Sequence, residues 1–372
     1  MSISTPSRRR PAVEDPVDGG RRNWSSLLGV WVVVIAFGAL TVSRSVQVGV
    51  PLRDPDGRMF TGRLTSALVL LTALIVVDVL MRAWRRRDGS GRGPVGVLRD
   101  ALRLLRDRWS PERLVLAVTG LLAYHLVYVC YRNLKSWVAF NQLRDEELLA
   151  SDRWLFLGHS PAGLLHDLLG QHHAAYVLMV VYKSFTYLVP LFVVGSLVFV
   201  DRIRDAYVAL TSAMWVWILG VGSYYLLPSL GPFDADRQDF VELPHTAITA
   251  TQAEYLSERA YLLRFPGASD AFASLGAFAS LHVAYTCMVM LMLWYYGLRR
   301  TACVMGCYLA ATMLATVYFG WHYVVDDIAG VLIAVLAVCL ARVMVGPRPS
   351  GGPGVAGGDR SGTEGRGLSV RQ

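Results

Sequence analysis

Three residues of this chain stand out for the chemistry their spacing allows. Ser280-Leu281-His282-Val283-Ala284 sets one histidine inside an apolar run, and Gly320-Trp321-His322-Tyr323-Val324-Val325-Asp326-Asp327 sets another four residues ahead of a carboxylate. On a helix, positions i and i+4 share a face. Asp326 is therefore positioned to accept a hydrogen bond from one ring nitrogen of His322, fixing its tautomer and leaving the other nitrogen free to attack an electrophile. A single histidine near a membrane interface reads as an amphipathic anchor. Two histidines with a spaced carboxylate read instead as a reaction centre.

The elements that must hold these groups follow from composition. Of 372 residues, 54% are hydrophobic and 17% charged. A soluble domain carries about a quarter of charged residues, and here the apolar residues fall into blocks long enough to cross a bilayer. Disorder throughout, a collagen-like chain and a small disulfide scaffold are excluded. Eight candidate spans cover residues 27–42, 64–84, 114–131, 174–200, 207–227, 277–296, 301–319 and 325–345. The first competes with a signal peptide, but no small-x-small cleavage site follows it. The expected fold class is an all-α polytopic membrane protein of about eight transmembrane helices, with a six-helix core preceded by two N-terminal helices. The expected domains are a disordered tail (1–23), two helices with a basic linker (24–113), the core (114–345) and a second disordered tail (346–372).

The formal net charge is +8, from 36 Lys+Arg against 28 Asp+Glu, and only Lys135 and Lys183 are lysines. The arginines lie in short runs between apolar blocks: Arg8–Arg10, Arg21 and Arg22, the stretch from Arg82 to Arg113, Arg202 and Arg204, Arg299 and Arg300, and Arg342 and Arg348. If every span crosses, all these runs fall on one side, which the positive-inside rule makes cytoplasmic. The pattern argues against a nucleic-acid partner, which would require arginines and aromatics on one soluble face. It predicts a multi-pass plasma-membrane protein with cytoplasmic termini, and it sets His282, His322 and Asp326 at one depth on the outer side.

With those residues in view, a family resemblance emerges. Ser280–Ala284 and the stretch from His322 to Gly330 resemble the second and third signatures of the PAP2 phosphatase/phosphotransferase superfamily. Tyr224-Tyr225-Leu226-Leu227-Pro228-Ser229-Leu230-Gly231-Pro232 is similar to a motif of its inositol-phosphotransferase branch, which includes inositol phosphorylceramide synthase. The resemblance spans the six-helix core. It implies that His322 is the nucleophile that forms a phosphohistidine, that Asp326 orients it, and that His282 is the general acid for the departing oxygen. It implies no cofactor, since histidine supplies the nucleophile. The implied partners are a lipid phosphate in the bilayer and an inositol- or sugar-like alcohol acceptor.

The pattern departs from the classical one in its phosphate-binding cations. Ala315 and Thr316 fill the slots of a Ser-Arg pair, and Tyr224 and Gly231 fill those of a Lys and an Arg. A dianionic phosphate still requires donors. Lys183, Arg132 and Lys135 are the expected cationic ones, with Tyr224, Tyr225 and Ser280 as neutral ones. The alternatives are hydrolysis alone, as a polyprenyl or phosphatidate phosphatase, or a non-enzymatic lipid or proton transporter. The transporter reading lacks the repeated halves and broken midplane helices such proteins show.

Further features bear on organisation. Residues 152–159 and 164–169 read as short amphipathic helices on the outer surface, forming a lid or lipid entrance. His159, His166, His172 and His173 match no standard zinc spacing, and His245 reads as structural or substrate-contacting. Val97, Leu98, Leu102 and Leu105 form an amphipathic stretch expected on the inner leaflet. The five cysteines carry no disulfide framework, and Asp78 is expected to pair with an arginine or a backbone group.

Overall fold

The computed structural model describes residues 16–87 and 94–346, with side chains from 28–85 and 95–346. Arg8–Arg10, Arg348 and most of both tails lie outside the described residues. Among the described residues the regular elements are all helical. They are α1 (Pro16–Val48), α2 (Thr61–Arg87), α3 (Pro94–Arg108), α4 (Pro111–Trp137), α5 (Asp145–Leu155), α6 (Pro161–Leu169) and α7 (His173–Phe199). There follow α8 (Ile203–Leu226), α9 (Pro232–Ala235), α10 (Ala247–Arg264), α11 (Leu281–Tyr295), α12 (Arg299–Tyr318) and α13 (Val324–Val345). Helix α1 takes in residues 16–23 of the stretch expected to be disordered.

Seven of these helices are long and apolar enough to cross a membrane: α1, α2, α4, α7, α8, α12 and α13. The chain is a polytopic all-α membrane protein. The expected span 277–296 is shorter than its hydropathy indicated, because α11 begins only at Leu281 and has 15 residues. At 1.5 Å per residue this is about 22 Å, short of a hydrocarbon core of about 30 Å. The cause is local. Ala277 N donates to Ser229 O (3.0 Å), Phe278 N to Ser229 Oγ (3.0 Å) and Ala279 N to Ser223 Oγ (2.9 Å), so the loop after α8 takes the donors a helix would use.

Helix α8 is the hub, buried along most of its length and packed on α4, α7, α11 and α13. Helix α11 packs on both α12 and α13, α12 returns to α7, and α1 and α2 add an outer layer against α4 and α7. Gly330 lets α13 close on the start of α11: a β-carbon there would lie 2.5 Å from Ser280 O. That approach brings Asp326, one turn earlier on α13, next to the segment that carries His282.

Two surface features differ in detail from the sequence reading. The first short helix runs Asp145–Leu155, earlier than 152–159. Acidic residues Asp145, Glu146 and Glu147 favour its N-terminus, and it ends ahead of a turn in which Leu157 and Gly158 take positive φ. Helix α3 exposes Val95, Leu98, Leu102 and Leu105 as one apolar stripe, whereas Val97 packs against the core. Asp78 pairs with Arg82 (2.8 Å) and Arg108 (3.0 Å). All five cysteines are unbridged.

Candidate active site

His322 lies in the short turn between α12 and α13, and its backbone N donates to Thr316 O (3.3 Å). Its Nδ1 meets Asp326 Oδ2 at 3.3 Å, at the long end for a hydrogen bond, as is common before a substrate tightens such contacts. The same oxygen accepts from Tyr323 N at 3.1 Å. Asp326 is fully buried and therefore fixed. With Nδ1 engaged, Nε2 is the ring's remaining nitrogen. Burial holds the His322 imidazole well below the usual histidine range, with His282 and Lys135 adding to the effect and a hydrogen bond at the Ala277 backbone opposing it. A neutral imidazole is the nucleophilic form.

His282 faces His322 from the first turn of α11, with ring centroids 6.3 Å apart. It is sandwiched by α7: Tyr182 stacks on it at 4.3 Å and Phe185 lies against it at 4.3 Å. Trp321 is stacked parallel to Tyr182 at 5.9 Å. These rings fix the imidazole plane.

Both histidines line one cavity of about 240 Å³, and so do Arg132, Lys135, Lys183 and Tyr224. The chain's only two lysines are thus on the same wall set as its paired histidines. Arg132 donates to Ser274 Oγ (3.1 Å), Lys183 Nζ donates to Thr251 Oγ1 (3.1 Å), and Lys135 Nζ sits 5.2 Å from the centre of the Tyr224 ring. None of the three forms an ion pair with a carboxylate among the described residues.

The altered cation slots have a steric explanation. Gly231 has φ +110, and a β-carbon there would lie 2.7 Å from Trp321 O and 2.9 Å from Gly320 O. The turn bearing His322 rests directly on residue 231, so no arginine fits. Thr316 is also turned away from the cavity, donating to Asp327 Oδ2 at 3.0 Å. Cations from α4 and α7 occupy the space instead.

Two carboxylates that sequence reasoning did not single out as site residues hold this turn in place. Asp145 accepts from Leu230 N (2.9 Å), Gly231 N (2.9 Å) and Tyr323 Oη (3.0 Å). Asp152 accepts from Val324 N (2.9 Å) and Val325 N (3.3 Å), capping α13. Burial raises both carboxyls above the usual range, and these hydrogen bonds work in the opposite direction. Helix α5 therefore clamps both backbone segments that frame His322.

Two expected residues lie elsewhere. Tyr225 Oη donates to Leu134 O (2.8 Å), away from the cavity, because adjacent helical residues point about 100° apart. Ser280 is fully buried behind the site, its backbone N donating to Asp326 O (3.0 Å). His166 is buried and bonds Tyr318 O (2.9 Å), and His245 is exposed. His172 and His173 meet edge to face, and no metal-holding group of three or more His, Cys, Asp or Glu side chains occurs among the described residues. Missed lining residues include Tyr128 and Tyr131, which share with Arg132 and Lys135 the i, i+3, i+4, i+7 pattern of one α4 face. Tyr182, Phe185 and Thr186 repeat that signal on α7.

Comparison with known proteins gives a match to the PAP2 superfamily over residues 146–340, from the start of α5 well into α13. No curated protein and no solved structure matches the chain. Helix α4, with Arg132 and Lys135, precedes the matched segment. Matched over more than half its length, and with both histidine signatures inside the match, the chain belongs to the PAP2 superfamily of phosphatases and phosphotransferases.

Proposed function

We propose that this protein transfers a phosphoryl-linked group from a lipid phosphate to an alcohol through a phosphohistidine at His322, at the outer membrane face. The observation that carries this reading is the convergence of both histidines on one cavity with three cations, none in direct ion-pair contact with a carboxylate and with Glu258 alone acting on Arg132 and Lys135 at longer range. A site built for anion binding leaves such cations for the phosphate to neutralise. Nε2 of His322 attacks phosphorus, Asp326 supports the imidazolium that develops, and the bond from phosphorus to the departing oxygen breaks. His282 gives that oxygen its proton. In the second half the acceptor hydroxyl passes its proton to His282 and attacks phosphorus, and the N–P bond breaks. Arg132, Lys135 and Lys183 stabilise charge on the phosphoryl oxygens throughout.

An alcohol acceptor, inositol- or sugar-like as in the branch whose motif Tyr224–Pro232 resembles, is favoured over water by the lining. Tyr128, Tyr131, Tyr182, Tyr224, Tyr255, Trp217 and Trp321 surround the cavity with rings and hydroxyls suited to a polyol. The outward orientation rests on the arginine distribution. Purified protein in detergent with EDTA, given a lipid phosphate and excess myo-inositol, is expected to form the phosphoinositol product faster than free phosphate. Release of free phosphate alone would contradict transfer and leave hydrolysis. An absolute requirement for added divalent metal would contradict the histidine mechanism.

A further inference from the structure

A second cavity, of about 490 Å³, opens between α2, α4 and α7. Ala67, Leu70, Val189, Pro190, Val193 and Val194 give it an apolar wall, and Arg58 and Arg63 stand at the start of α2. Three of its polar members are internally satisfied. Ser66 Oγ donates to Gly62 O (2.8 Å), His125 Nδ1 bonds Leu121 O (2.7 Å) and Tyr124 Oη accepts from Trp217 Nε1 (3.1 Å). What remains for an occupant is mainly hydrocarbon surface.

This groove adjoins the catalytic cavity: Tyr128 and Thr186 line both. Arg63 lies over the Tyr128 ring, its guanidinium 4.5 Å from the ring centre. Lys183, at the catalytic mouth, is one turn of α7 from Thr186. From Thr186 the groove follows α7 to Val194, about 12 Å along the axis, away from the His173 end of the helix. Cations at the top and an apolar channel below match a lipid whose phosphate stays at the interface while its chain descends toward the midplane. The third wall is α2, which precedes the family match.

We infer that the groove between α2, α4 and α7 holds a hydrocarbon chain of the lipid phosphate whose headgroup occupies the catalytic cavity, so that α2 selects the donor lipid by its chain. The inference rests on the function proposed above. It gives the N-terminal helices a role beyond that of an outer layer.

The test uses the full-length protein and a phosphatidic acid with a diazirine at the end of one long acyl chain. Photolabel is expected in peptides covering residues 58–70 and 186–194. Ser66→Trp and Leu70→Trp fill the groove and are expected to cut this labelling at least fivefold. They should also lower the ratio of long-chain to dihexanoyl kcat/KM by about tenfold, the equivalent of roughly two buried methylene groups. Val32→Trp, on the lipid-facing side of α1, is the control and changes neither readout. Labelling confined to other helices overturns the inference, as does equal labelling by a phosphatidylcholine analogue, which would mark a bulk-lipid site. If the tryptophan variants do not fold, the wild-type label map decides. Persistent turnover in His322→Ala would sink the reaction mechanism while leaving the groove label intact, so the two failures are distinguishable.

Discussion

The two ends of the helical bundle treat charge in opposite ways. At the end remote from the histidines, Asp78 is held by Arg82 and Arg108, Asp201 meets both arginines (3.1 and 2.5 Å), and Arg113 donates to the carbonyls of Leu197, Val200 and Asp201. Each of these charges has a protein partner. At the histidine end, Arg132, Lys135 and Lys183 bond or stack on hydroxyls and rings, with Glu258 reaching Arg132 and Lys135 only through space, while the carboxylates Asp145 and Asp152 spend their oxygens on backbone N–H groups and the Tyr323 hydroxyl. The first arrangement is a staple for α2, α3, α4 and α7. The second keeps positive charge available to an anion that the protein does not itself supply.

Substitutions separate the two kinds of charge. The largest effect is expected for His322→Ala, which removes the nucleophile and should lower turnover at least about 10⁴-fold with the melting temperature nearly unchanged. Next, Asp78→Ala removes the buried carboxylate shared by Arg82 and Arg108, which keep Asp201, and should cost about 1.5–3 kcal/mol of stability, read by thermal or denaturant unfolding in detergent, with the residual folded fraction fully active. Lys135→Met inverts that pattern. Losing one charged phosphate contact, worth about 1.5–3 kcal/mol, should lower kcat/KM about 10- to 100-fold with little loss of stability, since no direct ion pair is broken. If Lys135→Met destabilised the protein as much as Asp78→Ala, the contrast between the ends would fail.

Smaller effects refine the picture. Asp152→Asn keeps one acceptor but points an amide donor at α13, and should cost about 1–2 kcal/mol while lowering kcat more than it raises KM. The pH profile gives the finest distinction. His322 must be neutral to attack, and its pKa is held below the ordinary value, so the acidic limb of kcat/KM should fall below pH about 6.5. Lys135 is one cause of that depression. Lys135→Met should therefore move the limb to higher pH, and a limb that stays in place would remove Lys135 from the neighbourhood of the nucleophile.

The sequence made much of this legible, for definable reasons. Long apolar blocks report membrane spans because length and composition suffice to cross a bilayer. The pairing of His322 with Asp326 was readable because it is local. Hydropathy could not show that residues 277–280 leave the helix, because Ala277, Phe278 and Ala279 are apolar in either conformation and the deciding partners, Ser223 and Ser229, are about 50 residues away. The roles of Asp145 and Asp152 were hidden for the same reason: their ligands are backbone groups 85 and more residues along the chain. Tyr224 and Tyr225 were indistinguishable as a dipeptide, and only the rotation of α8 turns Tyr224 to the cavity. The empty arginine slot at Gly231 reads as a loss in sequence. In three dimensions it is the contact that seats the His322 turn.

The most direct test of this account is to find where the phosphorus goes. Protein quenched during turnover of a lipid phosphate and digested under alkaline conditions should yield one acid-labile phosphopeptide, with the modification on His322 by mass spectrometry and absent from His322→Ala. Phosphate on any other residue, or an unmodified chain at full turnover, would contradict the central claim.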